Sequence, residues 1–286
     1  MMLDTAAAFD VRNYLRQEMM PHFLCPGCGH GIALRALLWA LDELQVDKDK
    51  LAVVSGIGCA GRLSAYIDAN TFHVTHGRPL AYATGLALAR PDLRVVVISG
   101  DGDCLAIGGN HLIHACRRNL KITCLMLNNE IYGMTGGQVS PLTPPKFLTE
   151  TTPYGNIEPH FNLRKLLTAA EASFVARESV NRLVPLMQVI KKSFQHKGFS
   201  VVEVMSNCHV NLGRRNKMKS ALQMTKYIDS ITMNMADFEK LPPEEQAPKY
   251  PLGVFVENTE RLEYTDLYFN HTVPLAKQQS GARGDK

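Results

Sequence analysis

The sequence predicts a doubly wound α/β fold with a mainly parallel sheet and a less regular C-terminal extension. Short apolar segments alternate with helix-length segments along most of the chain, and several of the apolar segments end in glycine-rich turns. The clearest pair of apolar segments spans residues 95–98 and 122–127, with a helical segment at 110–118 between them. A strand, a helix and a second strand at this spacing form a βαβ unit, so we expect the two strands to be parallel neighbours.

The overall composition is that of a folded protein with a substantial core. Of the 286 residues, 45% are hydrophobic and 20% are charged, which is enough for one large α/β domain and a tail. The net charge is only +4 and the lysines and arginines are scattered, so we expect no nucleic-acid partner. No apolar run approaches the roughly 20 residues of a membrane span, and the first residues do not resemble a signal peptide. We therefore expect a cytoplasmic protein without a membrane partner.

The other elements follow from the pattern of apolar residues. Before the central unit we predict helices at 32–44 and 80–89 and strands at 52–55 and 72–74. After it we predict a proline-rich loop at 142–159, a helix at 163–170, strands at 173–176 and 199–205, and between these strands a helix that Ser179 caps and that ends near His196. The pattern weakens after Cys208. We therefore divide the chain into an N-terminal segment (1–24), a central domain (25–208) and an extension (209–286) that packs on the domain or on a partner, with a frayed polar end at 278–286.

Two polar side chains follow the strands of the central unit. Asp101 lies in a Ser-Gly-Asp-Gly-Asp turn after the first strand, and Asn129 follows the second strand. In a parallel sheet both positions lie at the carboxyl edge, where open α/β sheets bind ligands. A carboxylate and an amide oxygen suit Mg²⁺, and Gly100 and Gly102 would let the backbone approach a phosphate. For the Gly-Asp-Gly segment alone, an ordinary turn at a strand end is the alternative explanation.

The seven cysteines divide into two groups. Cys25 and Cys28 share a glycine-rich turn, and Cys59 and Cys208 each follow a predicted strand, so the four can converge although they are far apart in sequence. Such a set suits a 4Fe–4S cluster, but on spacing alone a zinc site or no metal remain alternatives. The other three lie within or beside predicted elements and are expected to be buried core residues: Cys104, Cys116 and Cys124.

Taken together, these motifs resemble those of the β subunits of 2-oxoacid:ferredoxin oxidoreductases. The Gly-Asp-Gly turn with its later asparagine resembles the thiamin-diphosphate signature, and the segment YGMTGGQ at 132–138 resembles this branch in particular. The segments CPGCGH at 25–30 and GIGC at 56–59, with Cys208 late in the domain, match the cysteines that hold the family's 4Fe–4S cluster. The resemblance covers about residues 24–210. It implies that residues 25–208 form a thiamin-diphosphate-binding domain of the pyrophosphate-domain type that carries an iron–sulfur site.

The resemblance also implies roles for individual residues. Asp101 and Asn129 would ligate Mg²⁺ through their side chains, and Ile131 would do so through its backbone carbonyl. The 4Fe–4S cluster would be held by Cys25, Cys28, Cys59 and Cys208. Contacts with thiamin diphosphate are implied for Ile57, Gly58, Cys59, Ala60, Thr75, His76, Gly77, Arg78, Gly102, Asp103, Gly133 and Met134. Arg62 and His76 are the predicted catalytic residues; Arg62 would face the substrate carboxyl group, and the alternative for it is an ordinary solvated arginine.

The family's reaction is the oxidative decarboxylation of a 2-oxoacid with coenzyme A, which gives an acyl-CoA and CO₂ and is reversible in principle. Electrons pass through the cluster to ferredoxin. In this family a glutamate beside the pyrimidine ring of the cofactor comes from the α subunit, so we expect the single chain to be inactive and to work as αβ or (αβ)₂.

The substrate and the enzyme class leave alternatives. The segments at 64–66 and 107–114 look most like those of the 2-oxoglutarate-type enzymes. Gly136 stands where many relatives have lysine, which removes a cation and keeps pyruvate as the alternative substrate. Two other classes compete with this interpretation: a non-redox thiamin-diphosphate decarboxylase or synthase without a cluster, and an electron-transfer subunit in which the Gly-Asp-Gly site is vestigial.

Overall fold

The computed structural model describes residues 10–247 and 249–281 of the chain. An eight-stranded sheet forms its centre, and a two-stranded hairpin lies apart from it. The strands are β1 (Leu51–Ser55), β2 (Asn70–His73), β3 (Arg94–Gly100), β4 (Ile122–Asn128), β5 (Ile131–Tyr132), β6 (Gln138–Val139), β7 (Phe174–Ser179), β8 (Ser200–Met205), β9 (Thr232–Asn234) and β10 (Tyr250–Glu257). The helices are α1 (Gly29–Glu43), α2 (Pro79–Ala89), α3 (Gly109–Arg118), α4 (Leu163–Ala169), α5 (Leu183–Gln195), α6 (Ala221–Ile231), α7 (Met235–Phe238), α8 (Pro243–Gln246), α9 (Tyr264–Leu267) and α10 (Val273–Gly281). The outer parts of the predicted N-terminal segment (1–9) and of the predicted polar end (282–286) lie outside the described residues.

The strand order of the main sheet is β2-β1-β3-β4-β8-β7-β10-β9. The first six strands in this order pair in parallel, and β10 is antiparallel to β7. The central unit is as predicted, because β3 and β4 are parallel neighbours with Val95 opposite Ile122 and Gly100 opposite Leu127. The predicted doubly wound α/β fold is therefore confirmed. The carboxyl ends of β1, β3, β4 and β8 all lie at one edge of the sheet.

Each face of the sheet packs against its own layer of helices. Helices α1 and α5 cover one face, where Leu37, Leu41 and Ile190 are buried. Helices α2 and α3 cover the other face, where Leu80 and Leu112 are buried. All positions of β4 are buried, because both faces of a central parallel strand meet helices. This burial explains the uninterrupted apolar runs in the sequence.

One local prediction is wrong. Ser179 is the last residue of β7, and its hydroxyl accepts a hydrogen bond from the Asn181 amide at 3.1 Å. Helix α5 begins at Leu183, after an N-cap residue, Arg182, that makes no side-chain cap hydrogen bond. The predicted cap fails because β7 extends three residues beyond the predicted strand end. The predicted burial of three cysteines is confirmed: Cys104, Cys116 and Cys124.

Part of the predicted C-terminal extension is regular. Strand β10 adds to the sheet beside β7, with a register shift between Val254 and Val256, and β9 pairs with β10. The extension therefore packs on the sheet through main-chain hydrogen bonds, while the domain division at residue 208 stays a prediction. Among the residues that the structure describes, no helix is both long enough and apolar enough to cross a membrane.

Candidate functional site

Three oxygen atoms meet where the loops after β3 and β4 come together. The side-chain oxygen of Asn129 lies 2.8 Å from the backbone oxygen of Ile131 and 3.2 Å from Oδ1 of Asp101. Adjacent oxygens around an octahedral Mg²⁺ ion are about 3 Å apart, because each Mg–O bond is about 2.1 Å long. A rotated amide would hydrogen-bond to both neighbours, whereas a cation would satisfy the three oxygens as they stand. The three residues predicted as magnesium ligands are thus brought together with spacings that fit the ion.

The carboxyl group of Asp101 is almost completely buried, with 2% of the residue exposed. Burial raises the pKa of this carboxyl group to about 7, and a hydrogen bond that the Ser140 hydroxyl donates to its Oδ2 at 2.5 Å opposes the rise. A divalent cation is a much larger local charge than a hydroxyl dipole and would stabilise the carboxylate strongly. The surroundings of Asp101 therefore fit a bound cation better than an isolated carboxylate.

Asp103 connects the loops of three strands. Its Oδ1 accepts hydrogen bonds from the backbone amide of Gly77 at 2.7 Å and from Nδ1 of His76, and its Oδ2 accepts one from Ser99 at 2.5 Å. Gly56 leaves room for this carboxylate, because a Cβ atom there would lie 1.9 Å from Oδ2. Both carboxylate oxygens are thus engaged by the protein. Asp103 holds His76 by one nitrogen and leaves the other nitrogen available.

A cavity surrounds the three oxygens and contains most of the predicted cofactor contacts. Of the predicted residues, the cavity is lined by Ile57, Gly58, Cys59, Ala60, His76, Asp101, Gly102, Asp103, Asn129, Ile131, Gly133 and Met134. Thr75, Gly77 and Arg78 do not line it. Arg78 instead donates hydrogen bonds from its guanidinium group to the backbone oxygens of Ile107 at 3.1 Å and Gly77 at 3.3 Å. The contacts of these three residues with a cofactor stay a prediction.

The turn at Gly102 is shaped by close packing against an aromatic ring. The hydroxyl of Tyr132 donates a hydrogen bond to the backbone oxygen of Gly102 at 3.1 Å. A Cβ atom at position 102 would lie only 2.3 Å from the Tyr132 ring, so only glycine fits here. The turn thus keeps its backbone exposed to the cavity, as a phosphate-binding loop requires.

The four predicted cluster ligands line a second cavity, of about 310 Å³. Burial raises the pKa of Cys28 to about 12 and that of Cys59 to about 11, and repulsion from the neighbouring cysteines adds to both increases. A metal would be needed to hold these sulfurs as thiolates. A single zinc ion needs ligand sulfurs about 2.3 Å from one point. Within the described ranges, no three or more metal-binding side chains are arranged to hold a single ion. The cavity brings Cys25, Cys28, Cys59 and Cys208 together, and the cluster that they would hold stays a prediction.

The two cavities share a wall. Both cavities are lined by Cys59, Asn129, Gly133 and Met134. Gly133 permits the close approach, because a Cβ atom there would lie 3.3 Å from Sγ of Cys208. Only these shared residues would therefore separate a group bound in one cavity from a group bound in the other.

The predicted substrate residue Arg62 lines neither cavity. It belongs to a short 3₁₀ helix after β1, and its guanidinium group stands over the ring of Phe23 at 5.8 Å from the ring centre. Phe23 itself lines the cysteine cavity. The role of Arg62 toward a substrate therefore stays a prediction.

Several residues of the site are not identified by the sequence analysis. His30 lines the first cavity and pairs with the Ser206 hydroxyl at 2.8 Å, and burial lowers its pKa to about 4. Glu130 adopts a left-handed backbone (φ 60°) between two positions predicted to ligate magnesium, and burial raises its pKa to about 8. The only sequence signal for Ser140 and Tyr132 is their place within or next to the YGMTGGQ segment. The contacts of Ser140 and Tyr132 form only in the folded chain, and no spacing of residues in the sequence predicts them.

Comparisons with known proteins show which family and which relatives this chain is similar to. Residues 56–204 match the family described as "Thiamine pyrophosphate enzyme, C-terminal TPP binding domain". The 2-oxoglutarate synthase subunit KorB of Methanothermobacter marburgensis is 46% identical over 94% of this chain and 92% of its own length. A second KorB subunit, from Methanocaldococcus jannaschii, is 44% identical over 88% and 93% of the two chains. Subunit beta of 2-oxoacid:ferredoxin oxidoreductase 2 from Aeropyrum pernix is 35% identical over 85% and 82%.

A solved structure has the same fold over nearly the whole chain. The 2-oxoglutarate:ferredoxin oxidoreductase from Magnetococcus marinus, solved with 2-oxoglutarate, coenzyme A and succinyl-CoA bound, superposes with a TM-score of 0.81 at 29% identity. The match covers 96% of this chain and 92% of that one.

Proposed function

This chain belongs to the family of 2-oxoacid:ferredoxin oxidoreductase β subunits, and from that premise we propose that it carries the cofactor-binding half of a 2-oxoglutarate:ferredoxin oxidoreductase. The enzyme would convert 2-oxoglutarate and coenzyme A to succinyl-CoA and CO₂ and pass the electrons to ferredoxin. The relatives named for 2-oxoglutarate favour this substrate over pyruvate, and their redox class disfavours a non-redox thiamin-diphosphate enzyme. A cytoplasmic location is part of the same proposal.

The observation that carries the proposal is the wall shared by the two cavities. One cavity offers hard oxygen ligands and the other offers four cysteine sulfurs, with Asn129 and Gly133 between them. Hard oxygens suit Mg²⁺, and sulfur quartets suit an iron–sulfur cluster. A chain that only decarboxylated would have no need for the sulfur cavity, and a chain that only carried electrons would have no need for the oxygen site.

The residues of the first cavity would hold and orient the cofactor. When bound, thiamin diphosphate supplies the electron sink that decarboxylation of a 2-oxoacid requires. Asp101, Asn129 and the Ile131 carbonyl would hold Mg²⁺ against its diphosphate. Asp103 fixes His76 through Nδ1, which leaves Nε2 of His76 to hold a proton or bind an anionic group in the cavity. Tyr132 and Met134 would exclude water from the same space.

The cysteine residues would give the electrons a path out of the site. Cys25, Cys28, Cys59 and Cys208 would hold a 4Fe–4S cluster, which supplies one-electron transfer. Because Cys59 lines both cavities, electrons would cross a very short distance from the cofactor.

Other parts of the enzyme would come from outside this chain. We propose an α subunit that supplies the glutamate beside the pyrimidine ring, in an αβ or (αβ)₂ assembly, and ferredoxin as the electron acceptor. Many relatives have a lysine at the position of Gly136, and the positive charge of that lysine would here come from the α subunit. Gly136 has φ 115°, a left-handed conformation that a lysine would adopt only with strain.

The experiment is an anaerobic assay of the chain co-expressed with its α subunit. About four irons, about four sulfides and one thiamin diphosphate per β chain, with viologen or ferredoxin reduction that depends on 2-oxoglutarate and coenzyme A, would support the proposal. Faster reduction with pyruvate would move the assignment to a pyruvate enzyme. Zinc or no metal, with thiamin diphosphate still bound, would contradict the redox function.

A further inference from the structure

The loop between β6 and α4 exposes two large apolar side chains. Tyr154 is 99% exposed and Ile157 is 94% exposed, the two most exposed of the large apolar residues in the described part of the chain. Single exposed apolar residues are common, but two at one loop tip with no cover of their own indicate a contact surface. Tyrosine in particular is frequent among the residues that dominate protein–protein binding energy.

The loop is held rigid by its own hydrogen bonds. The amide of Lys146 donates to the Asn156 oxygen at 2.7 Å, and the amide of Asn156 donates to the Phe147 oxygen at 2.8 Å. The side-chain amide of Asn156 also donates to the Thr143 oxygen at 2.9 Å. Asn216, in a turn between β8 and α6, holds the loop because its side chain both donates to and accepts from the backbone of Leu148 at 2.9 Å. A pre-ordered loop loses little conformational entropy when a partner binds its tip.

The base of the same loop is attached to the cofactor site. Ser140 donates to Asp101, and Thr143 donates to the Glu130 carbonyl oxygen at 2.5 Å. A groove along the base is lined by Tyr132, Ser140, Pro141 and Phe161 among others, and Tyr132 also lines the cofactor cavity. A protein that closed the cofactor cavity from outside would therefore reach the loop.

We propose that Tyr154 and Ile157 are anchors that insert into an apolar pocket of the α subunit at the rim of the shared cofactor site. This inference rests on the proposed function, because the α subunit is the chain expected to cover that cavity. Because the base of the loop lies beside the cavity, we favour this occupant over a second copy of the chain. By holding Ser140 and Thr143 at its base, the loop would couple subunit docking to the geometry of the metal site.

The test is the affinity of the α subunit for the double variant Tyr154→Ser/Ile157→Ser, measured anaerobically by biolayer interferometry. Loss of two anchors is expected to weaken Kd by about 30-fold or more. The single variant Tyr154→Phe should bind like the wild type, because the ring is the part that inserts. The matched control is Leu262→Ser, which is 68% exposed but lies beside the end of α3, where Asn119 bonds to its backbone, away from the cofactor edge.

The outcomes separate the two proposals. If the wild-type pair associates and is active while the double variant binds as tightly as Leu262→Ser, the docking inference fails and the proposed function stands. If the double variant only abolishes self-association of the isolated chain in sedimentation velocity, the loop joins two copies of this chain and the inference is likewise overturned. If the wild-type chain and the α subunit neither associate nor oxidise a 2-oxoacid, the proposed function fails, and the docking inference that rests on it fails too. An unfolding midpoint equal to that of the wild type checks that the variant is folded, as expected for exposed positions.

Discussion

Substituting Asp101 by asparagine should stabilise the metal-free protein although it removes a proposed magnesium ligand. The Asp101 carboxyl group is buried, so its ionised form is unfavourable without a cation. Burial raises the pKa of this group from 3.8 to about 7. This increase in pKa corresponds to about 4 kcal/mol of destabilisation when the carboxylate is fully ionised. Asparagine keeps part of the cost of burying a polar group, so we expect a gain of about 2 kcal/mol or more.

The sign of the effect sets its pH dependence. Because the pKa of Asp101 is higher in the folded than in the unfolded protein, the folded state loses stability as pH rises from about 4 to about 7. Wild type and Asp101→Asn should therefore differ little near pH 4 and most above pH 7. At pH 8 with EDTA, thermal unfolding of the variant is expected about 4–8 °C higher than that of the wild type.

Magnesium should make the wild type more stable than Asp101→Asn, the reverse of the order in EDTA. Mg²⁺ with thiamin diphosphate at 100 times its Kd stabilises a binding-competent protein by about 2.7 kcal/mol, whereas Asp101→Asn should gain almost nothing. Asp103→Asn is the matched control, because this carboxylate accepts hydrogen bonds from four partners and its substitution should destabilise by about 1–3 kcal/mol. An Asp101→Asn variant that unfolds at or below the wild-type temperature in EDTA, or that Mg²⁺ stabilises equally, would refute the reasoning.

Three further substitutions address the other parts of the site. Ser140→Ala removes the hydrogen bond to Asp101 and should weaken binding of Mg²⁺ with thiamin diphosphate about 10- to 100-fold by calorimetry; unchanged affinity would exclude a supporting role. Cys59→Ala should lose most of the iron in a colorimetric assay, whereas Cys116→Ala, in the core, should keep it; equal iron contents would contradict the cluster assignment. Arg62→Gln should raise KM for 2-oxoglutarate about tenfold, because it removes one charge-assisted contact, and it should leave the thiamin content unchanged. An unaltered KM would mean that Arg62 is a solvated arginine stacked on its neighbour.

The sequence predicts the sheet and the edge of the site because both depend on local patterns. Apolar runs define β3 and β4, and parallel strands must present Asp101 and Asn129 at the same edge. The convergence of Cys59 and Cys208 follows from the same rule, since each comes after a strand of that edge.

Other features could not be predicted because they depend on tertiary contacts. Strand β10 contains Pro251 and Gly253, which weaken a strand pattern, and it forms because the free edge of β7 offers main-chain partners. Ser140 reaches Asp101 only because the hairpin of β5 and β6 folds the chain back over the metal site. Serine is a good helix-capping residue, but the pairing of β7 with β8 keeps Ser179 in a strand.

Both parts of the site leave polar groups in states that the folded chain alone does not favour. Burial raises the pKa of the Asp101 carboxyl group to about 7, and it raises the pKa values of Cys28 and Cys59 well above that of a free thiol. A magnesium ion and an iron–sulfur cluster would each supply the positive charge that these groups lack, so cofactor loading and the stability of this edge are linked. Because Gly133 and Cys59 line both cavities, a group bound in one cavity would lie beside a group bound in the other. We therefore expect this edge of the sheet to become more stable when its ligands bind.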